Sequence, residues 1–431
     1  MQKLWLKNYP EGVPEQINPD EYQSLQPLLG NACTQFAGLP AYTSMGRTIT
    51  YEQYREYARD FAAWLQGAGL KRGDRIALML PNVLQYPIAL YGALLAGLTI
   101  VNTNPLYTAR ELEHQLVDSG ARAIVILENF AHTLEQVIDK TNLEIVLTTG
   151  VGDRLGWPKS AIVNLVVKYV QRKVPHWELP GSIPFNTALS QGHYMELRPV
   201  ELNHDDIAFL QYTGGTTGIA KGAMLTHRNM VANVLQSAAW IGSAARSGKD
   251  TIITALPLYH IFALTANWMV FVTFGAHNVF IVNPRDFPAF VAELKKYPFS
   301  YFSGVNTLFN ALLNTPGFSE VNFDHLRITL GGGMAVQRSV AEQWKKVTGH
   351  VLTQAWGLTE TSPGACINPF DLDFTGSIGL PLPSTEISIR DDAGAELGVG
   401  EVGEICVRGP QVMRGYWGRP DETAKVMLPD N

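Results

Sequence analysis

A glycine- and threonine-rich segment contains the residues whose types and spacing are best suited to chemistry. It follows an apolar strand, precedes a helical segment and reads Tyr212-Thr213-Gly214-Gly215-Thr216-Thr217-Gly218-Ile219-Ala220-Lys221-Gly222. Glycines let backbone N–H groups approach an anion, threonine hydroxyls add donors, and Lys221 adds a cation. The segment therefore predicts a polyphosphate-binding loop, although glycine clusters also form plain flexible turns. It is not a Walker A loop, because Lys221 is followed by glycine rather than serine or threonine.

Five ordered motifs, of which this loop is the first, resemble the signatures of the adenylate-forming superfamily. That superfamily contains acyl-CoA synthetases, luciferase-like enzymes and peptide-synthetase adenylation domains, and the resemblance is closest to bacterial long-chain fatty acyl-CoA ligases. The second motif, Pro257-Leu258-Tyr259-His260-Ile261-Phe262, resembles the histidine motif of the superfamily, and the third, Gly331-Gly332-Gly333-Met334, resembles its adenine loop. The fourth, Ala355-Trp356-Gly357-Leu358-Thr359-Glu360, resembles its aromatic-Gly-x-Thr-Glu motif, and the fifth, residues 403–416, resembles its β-unit motif.

The resemblance implies a two-step reaction with ATP, Mg²⁺ and CoA. A carboxylate attacks the α-phosphorus of ATP and releases pyrophosphate, and the CoA thiol then displaces AMP. Because negative groups must meet, such catalysis is mainly electrostatic. The resemblance implies that Thr213 and Glu360 hold Mg²⁺, that Thr359 and the loop contact phosphate, and that His260 meets the carboxylate. It assigns to the nucleotide residues 213–222, 331–333 and 355–359.

Two of these residues have plainer interpretations. Glu360 alone would read as a surface carboxylate, and His260 alone as a buried core histidine. Trp356 stands where tyrosine is most familiar in the family; stacking on adenine is still expected, because indole offers a larger π face.

An uncharged stretch bears on the substrate. Residues 251–284 contain no Asp, Glu, Lys or Arg. A site for amino acids needs a carboxylate to pair the ammonium group, because a buried unpaired charge is costly. We therefore expect an apolar acyl tail, with Ala263 and Gly304 leaving room for a tunnel, although a well-packed core would look similar. The hydropathy of Ile261–Val282 also suits a membrane span, but polar and turn residues favour a buried helix followed by a strand at Val279–Val282.

A basic amphipathic segment follows Trp157. Residues 158–174 read as one helix, begun at Pro158 and ended before Pro175. Lys168 and Arg172 share a polar face, and tryptophans flank the segment. This pattern suits a membrane interface, and the alternative is a helix packed on the protein core.

The elements that must position these residues alternate between apolar strands and amphipathic helices. This alternation predicts an α/β fold with helix-flanked, largely parallel sheets in two lobes, residues 1–200 and 201–378, and a small antiparallel β unit at 379–431. Capping boxes at Thr50 and Thr108 begin two of the helices, and a further helix is expected to begin at or near Thr226 and run to Trp240. The predicted strands are Arg75–Leu80, Ala123–Leu127, Ile145–Thr148, Ile207–Tyr212, Thr251–Ala255, Tyr301–Ser303, Ile328–Leu330, Glu386–Arg390 and Glu404–Val407.

Composition limits the class of protein. The 431 residues carry a net charge of −6, which weighs against a nucleic-acid partner. Three scattered cysteines and an N-terminus without a secretory pattern favour the cytoplasm. The resemblance implies that the family's lid domain lies beyond residue 431, so that this chain binds nucleotide but turns over poorly. A peripheral membrane association and a homodimer are further expectations. The alternatives are a non-catalytic nucleotide or fatty-acid sensor, a P-loop ATPase, and a ligase for another apolar acid.

Overall fold

A computed structural model describes residues 3–214 and 220–428 of the chain. In chain order its strands are β1 (Pro40–Ser44), β2 (Arg47–Thr50), β3 (Arg75–Met79), β4 (Thr99–Asn102), β5 (Ala123–Leu127), β6 (Ile145–Thr149), β7 (Ile183–Pro184), β8 (Ile207–Thr213), β9 (Lys221–Thr226), β10 (Thr251–Thr254), β11 (His277–Phe280), β12 (Tyr301–Gly304), β13 (Ile328–Gly331), β14 (Leu352–Gly357), β15 (Gly364–Ile367), β16 (Leu380–Pro381), β17 (Glu386–Arg390) and β18 (Glu404–Arg408). Its helices are α1 (Leu25–Gln35), α2 (Tyr51–Gly67), α3 (Gln85–Leu95), α4 (Ala109–Ser119), α5 (Ala131–Glu135), α6 (Lys159–Leu165), α7 (Phe185–Gly192), α8 (His227–Ile241), α9 (Val270–Thr273), α10 (Phe287–Leu294), α11 (Asn306–Leu313), α12 (Arg338–Thr348) and α13 (Pro420–Val426).

The strands form two large sheets and one small one. The first large sheet has the order β7-β6-β5-β3-β4-β8-β9 and is parallel except at β8–β9. The second has the order β16-β15-β14-β13-β12-β10-β11-β1-β2 and is antiparallel only at its two ends. Strands β17 and β18 form a separate antiparallel pair. The predicted fold class is confirmed.

The two large sheets exchange strands. Strands β1 and β2 join the second sheet through the parallel pairing of β1 with β11, where Tyr42 lies opposite Asn278. Strands β8 and β9 join the first sheet, with Phe209 of β8 opposite Ile100 of β4. Each large sheet therefore contains strands from both sides of residue 200, and the division of the chain into lobes stays a prediction.

Local signals mark several helix starts correctly. Both hydrogen bonds of the predicted capping boxes are present at Thr50 and at Thr108. Thr226 caps α8 in the same way. In each case the threonine hydroxyl accepts a backbone N–H that the helix itself leaves unpaired.

The uncharged stretch forms a buried helix and a strand, as predicted. A π-helical segment, Ala263–Met269, continues into α9 and is followed by a turn and β11. Gly275 makes the turn with a φ of 65°, and its missing side chain leaves room for the ring of Phe36. Within the described residues, none of the helices is both long and apolar enough to cross a membrane.

The basic amphipathic segment forms a shorter helix than predicted, and it is not buried in the core. Helix α6 continues only as a π-helical turn, Val166–Val170, and Arg172 takes a left-handed φ of 52°. The prediction of a single helix running to residue 174 is therefore wrong, because the chain leaves helical geometry at Arg172. Packing on the core is also wrong, because no residue of Lys159–Val170 is buried. Four of its large apolar side chains are instead exposed, with exposed fractions of 59% at Ile162 and 67% at Tyr169.

Candidate active site

The predicted phosphate loop lies at the tip of the β8–β9 hairpin. Thr213 and Lys221 are opposite each other in the antiparallel register, so Gly214 and Ala220 continue the chain from the two strand ends. The remaining predicted loop residues, Gly215, Thr216, Thr217, Gly218 and Ile219, lie outside the described residues. The loop does not lead directly into a helix, because β9 pairs with β8 before α8 begins. Gly222 permits this close pairing, since a Cβ there would lie 3.1 Å from the ring of Tyr212.

A hydrogen-bonded cluster around Asp118 holds the hairpin near its tip. The Tyr212 hydroxyl donates to Asp118 Oδ2 at 2.7 Å. Arg419 Nη2 donates to Asp118 Oδ1 at 2.8 Å, and Trp417 Nε1 donates to the Asp118 carbonyl at 3.1 Å. Burial, reinforced by the Asp118 carboxylate, raises the pKa of Tyr212, so the phenol stays a donor. The hairpin is thus fixed to the segment that follows residue 416.

The β-unit motif runs beside β9 and reaches the Thr-Glu turn. Met224 N donates to the Gly415 carbonyl at 2.9 Å, and Trp417 N donates to the Gly222 carbonyl at 2.8 Å. Between these bonds, the Tyr416 hydroxyl donates to Glu360 Oε1 at 2.6 Å. The candidate metal carboxylate is therefore held against the phosphate hairpin by a residue from the β-unit motif.

A tight turn presents Thr359 and Glu360. Strand β14 ends at Gly357, where a Cβ would lie 1.8 Å from the Pro363 carbonyl oxygen, so only glycine lets the chain fold back. Leu358 N closes the turn by donating to that carbonyl at 3.1 Å. Within the described part of the chain, Oε2 of Glu360 accepts no hydrogen bond. Tyr416 thus positions one carboxylate oxygen and leaves the other without a partner among the described residues.

The residues beside the phosphate hairpin suit Mg²⁺, which takes few ligands from the protein, better than a metal ion whose ligands all come from protein side chains. In the chain apart from residues 1–2, 215–219 and 429–431, no three His, Cys, Asp or Glu side chains form a metal cluster. Mg²⁺ is commonly bound through one or two carboxylates, with water and substrate phosphates as its other ligands. The Glu360 carboxylate and the Thr213 hydroxyl suit that role.

The adenine loop, β14 and the histidine motif meet at Gly332. A Cβ at Gly332 would lie 3.1 Å from Cζ of Phe262 and 3.3 Å from the Ala355 carbonyl oxygen. Gly331 ends β13, and Gly333 takes a φ of 74°. The backbone of this loop therefore lies directly beside the strand that contains Trp356, which is half-buried.

His260 presents a neutral ring with a defined tautomer. Its Nδ1 accepts the backbone N–H of Phe262 at 3.3 Å, which places the proton of a neutral ring on Nε2. Burial lowers the pKa of the imidazole, while its outer side stays open to solvent. The ring can therefore donate a hydrogen bond from Nε2 to an incoming oxygen. Thr265 Oγ1, one turn later, donates to the Ser362 carbonyl at 2.8 Å and joins the histidine segment to the Thr-Glu turn.

Sequence reasoning missed the side chains that fix the histidine segment. Asn82 Nδ2 donates to the carbonyls of Thr254 and Leu256 at 3.1 and 2.9 Å, and Asn82 Oδ1 accepts the Leu258 N–H at 2.9 Å. Gln211 Nε2, from β8, donates to the Tyr259 carbonyl at 2.8 Å. A polar residue inside an apolar strand, such as Gln211, or shortly after one, such as Asn82, could have indicated these contacts, because buried polar groups need hydrogen-bond partners.

The predicted acyl side is more tightly packed than expected. A Cβ on Gly304 would lie 2.9 Å from Cζ of Phe309, so the space predicted beside Gly304 is filled by that ring. Ala263 is buried in the core. Polar side chains in this region pair with one another, as where Ser303 Oγ donates to Asn267 Oδ1 at 2.6 Å. The acyl tunnel stays a prediction.

Comparison with known proteins agrees with this arrangement. The family model described as AMP-binding enzyme matches residues 29–417. A long-chain-fatty-acid–CoA ligase of Salmonella typhimurium is 55% identical over 429 residues, which cover 99% of this chain and 76% of that protein. A ligase of the same name from Haemophilus influenzae is 49% identical over 99% of this chain and 77% of its own length.

A solved structure has the same fold. The crystal structure of a long-chain-fatty-acid-CoA ligase from Archaeoglobus fulgidus matches with a TM-score of 0.80 at 26% identity, covering 97% of this chain and 80% of that one. The motifs that resemble the adenylate-forming signatures come together at one place in the fold, and the family model extends over nearly the whole chain. The chain therefore belongs to the AMP-binding enzyme family.

Proposed function

We propose that this chain activates long-chain fatty acids with ATP and transfers the acyl group to CoA, giving acyl-CoA, AMP and pyrophosphate. The observation that carries the proposal is the contact between the phosphate hairpin and the Thr-Glu turn through Tyr416, whose hydroxyl lies 2.6 Å from Glu360 Oε1. The similarity of the chain to long-chain-fatty-acid–CoA ligases supports the choice of reaction.

The roles of the residues follow from charge. Glu360 and Thr213 hold Mg²⁺, which when bound supplies positive charge beside the transferred phosphoryl group. Lys221, Thr359 and the 213–222 loop hold phosphate oxygens. His260 donates from Nε2 to a carboxylate oxygen and orients the acid for attack. Fixed donors of this kind stabilise the transition state because their geometry is already set before reaction.

The acid is apolar, because the residues around the histidine motif offer no carboxylate to pair with a charged substrate group. Residues 251–284 contain no Asp or Glu, so none of them can pair the ammonium group of an amino acid. Trp356 stacks on adenine beside the glycine loop, as its place in β14 next to Gly332 suggests. A ligase for another apolar acid is the nearest alternative, and parallel assays with acids of different chain length separate the two.

Replacing Glu360 with glutamine tests the proposal. E360Q keeps the shape of the side chain but removes its charge, so acyl-adenylate formation should fall by about two orders of magnitude or more. The product is measured by mass spectrometry after mixing fatty acid, ATP and Mg²⁺ with the protein. E342Q, which removes an exposed carboxylate of α12, is the matched control. Near-normal adenylation by E360Q would overturn the metal assignment.

We also propose that α6 and the following π-helical turn contact an anionic membrane surface. Five large apolar side chains of this region are exposed, and they are Trp157, Ile162, Leu165, Tyr169 and Val170. Lys168 and Arg172 lie at its exposed end, and basic residues near anionic lipid contribute about 1 kcal/mol each. An exposed apolar helix with basic neighbours suits the interface between lipid headgroups and acyl chains.

Charge reversal tests the membrane contact. K168E combined with R172E should reduce sedimentation with anionic liposomes by about tenfold or more, because two attractive charges become repulsive. K71E combined with K346E makes the same change of charge at exposed sites on other elements and should have little effect. Equal loss in both double variants would contradict a specific contact. A homodimer and a cytoplasmic location stay separate predictions, and light scattering checks the first.

A further inference from the structure

The phosphate-loop lysine already has an anionic partner within the chain. Lys221 Nζ lies 2.8 Å from Glu422 Oε2, in the first turn of α13. The same ammonium group lies 4.6 Å from the centre of the Tyr416 ring. Lys221 is therefore held between a carboxylate and an aromatic face, both supplied by the segment 416–422.

Glu422 is held in place by the backbone around it. The neighbouring Thr423 Oγ1 accepts the Tyr416 N–H at 2.9 Å, and Thr423 N donates to the Arg419 carbonyl at 3.0 Å. Arg419 is in turn bonded to Asp118, which holds Tyr212 near the tip of the hairpin. The start of α13 is thus fixed to the same hairpin that contains Lys221, so the ion pair belongs to the built site.

A second cation lies on the other side of Glu422. Lys425 Nζ is 2.5 Å from Glu422 Oε1, one turn along α13. Hydrogen bonds from Lys221 and then from Lys425 lower the pKa of Glu422 to about 2, so the carboxylate is charged at neutral pH. If Lys221 turns to another anion, Glu422 still keeps Lys425. Separation of the Lys221–Glu422 pair therefore leaves no unpaired carboxylate.

We propose that Glu422 is a positioning residue that occupies Lys221 until the polyphosphate of the nucleotide replaces it. The inference rests on the proposed function, because Lys221 must meet phosphate oxygens. A partly exposed ion pair contributes little to stability, so exchange of one anion for another is feasible at this site. Without nucleotide, Glu422 holds the Lys221 ammonium group beside the Tyr416 ring, and it competes with the nucleotide for that group.

Glu422→Gln tests the competition. E422Q should bind Mg·ATP about threefold to fivefold more tightly, the range that loss of one exposed ion-pair competitor allows, as measured by calorimetry. Its affinity for adenosine, which has no phosphate, should not change. D421N removes a neighbouring carboxylate of α13 that has no hydrogen bond to Lys221, and it should leave ATP affinity close to that of the unsubstituted protein. Unchanged or weaker ATP binding by folded E422Q would overturn the proposal.

A second variant locates the effect at Lys221. In K221Q, adding E422Q should give no gain in ATP affinity, because the competed cation is absent. A gain that persists in the K221Q background would mean that Glu422 acts only through general charge, and would also overturn the proposal. If the unsubstituted chain binds adenosine but not ATP, or neither ligand, the proposed function itself fails. These outcomes are distinct from a failure confined to Glu422.

Discussion

His227 gives the protein a defined sensitivity to acid. The residue begins α8, is 1% exposed, and its Nδ1 accepts the Leu25 N–H at 3.2 Å. Burial is the main cause that lowers the pKa of its imidazole to about 4, while Asp206 opposes this shift and Arg72 adds to it. The folded protein therefore keeps this ring neutral under conditions in which an unfolded chain would protonate it.

The sign and size of the effect follow from proton linkage. An unfolded histidine has a pKa of about 6.5, so between about pH 6.5 and pH 4 the unfolded state binds more protons than the folded state. The free energy of unfolding must therefore fall as the pH falls through this window. One pKa unit corresponds to about 1.4 kcal/mol, so His227 should contribute a loss of about 2 kcal/mol between pH 7 and pH 5.

Urea unfolding at these two pH values measures the effect. H227N keeps a neutral acceptor near Leu25 N but cannot be protonated, so its stability should depend less on pH by about 2 kcal/mol, even if it is less stable at both pH values. Some dependence should persist, because burial also lowers the pKa of His277 to about 4. H325N, at an exposed position, is the control. An H227N variant with the pH dependence of the unsubstituted protein would refute the assignment.

Two further substitutions test packing and positioning. G192A should lower the free energy of unfolding by about 3 kcal/mol or more, because its Cβ would lie 1.9 Å from the Asp60 carbonyl oxygen where α7 meets α2. G38A, whose Cβ would have nothing within 4 Å, should change the free energy of unfolding by at most about 0.5 kcal/mol. Equal shifts of the thermal midpoint in the two variants would contradict this packing. N82A leaves the buried Leu258 N–H without its partner, at a cost of about 1–3 kcal/mol in the free energy of unfolding. It should impair adenylate formation more than the nucleotide affinity measured by calorimetry. Equal losses in the two measurements would mean that Asn82 does not position the histidine segment.

Elements fixed by local chemistry could be predicted, and those fixed by distant partners could not. The capping boxes at Thr50 and Thr108 depend on residues three positions apart, so the sequence contains the whole signal. Strand β9 was missed because Lys221-Gly222-Ala223 shows no alternation and becomes a strand only by pairing with β8. The contact of Glu360 with Tyr416 joins residues 56 positions apart in the sequence, and no local pattern indicates it.

Function was easier to predict than side-chain support. The motif residues have unusual types at fixed spacing, whereas Asn82 and Gln211 are ordinary polar residues whose value depends on the backbone groups they meet. The segment after Trp157 shows the converse error. Its amphipathic pattern was real, but the pattern alone did not reveal the left-handed residue at Arg172 or the absence of a covering core.

The exchange of strands between the sheets has a consequence for synthesis on the ribosome. Strand β1 is made early but has no parallel partner until β11, which ends at Phe280, has been translated. At about 5–20 residues per second, this delay is roughly ten to fifty seconds. During that time β1 and β2 expose backbone groups and apolar side chains that later become buried. Nascent chains halted between these strands are therefore expected to bind holdase chaperones more strongly than chains halted after Phe280, and crosslinking to stalled ribosomes would measure the difference.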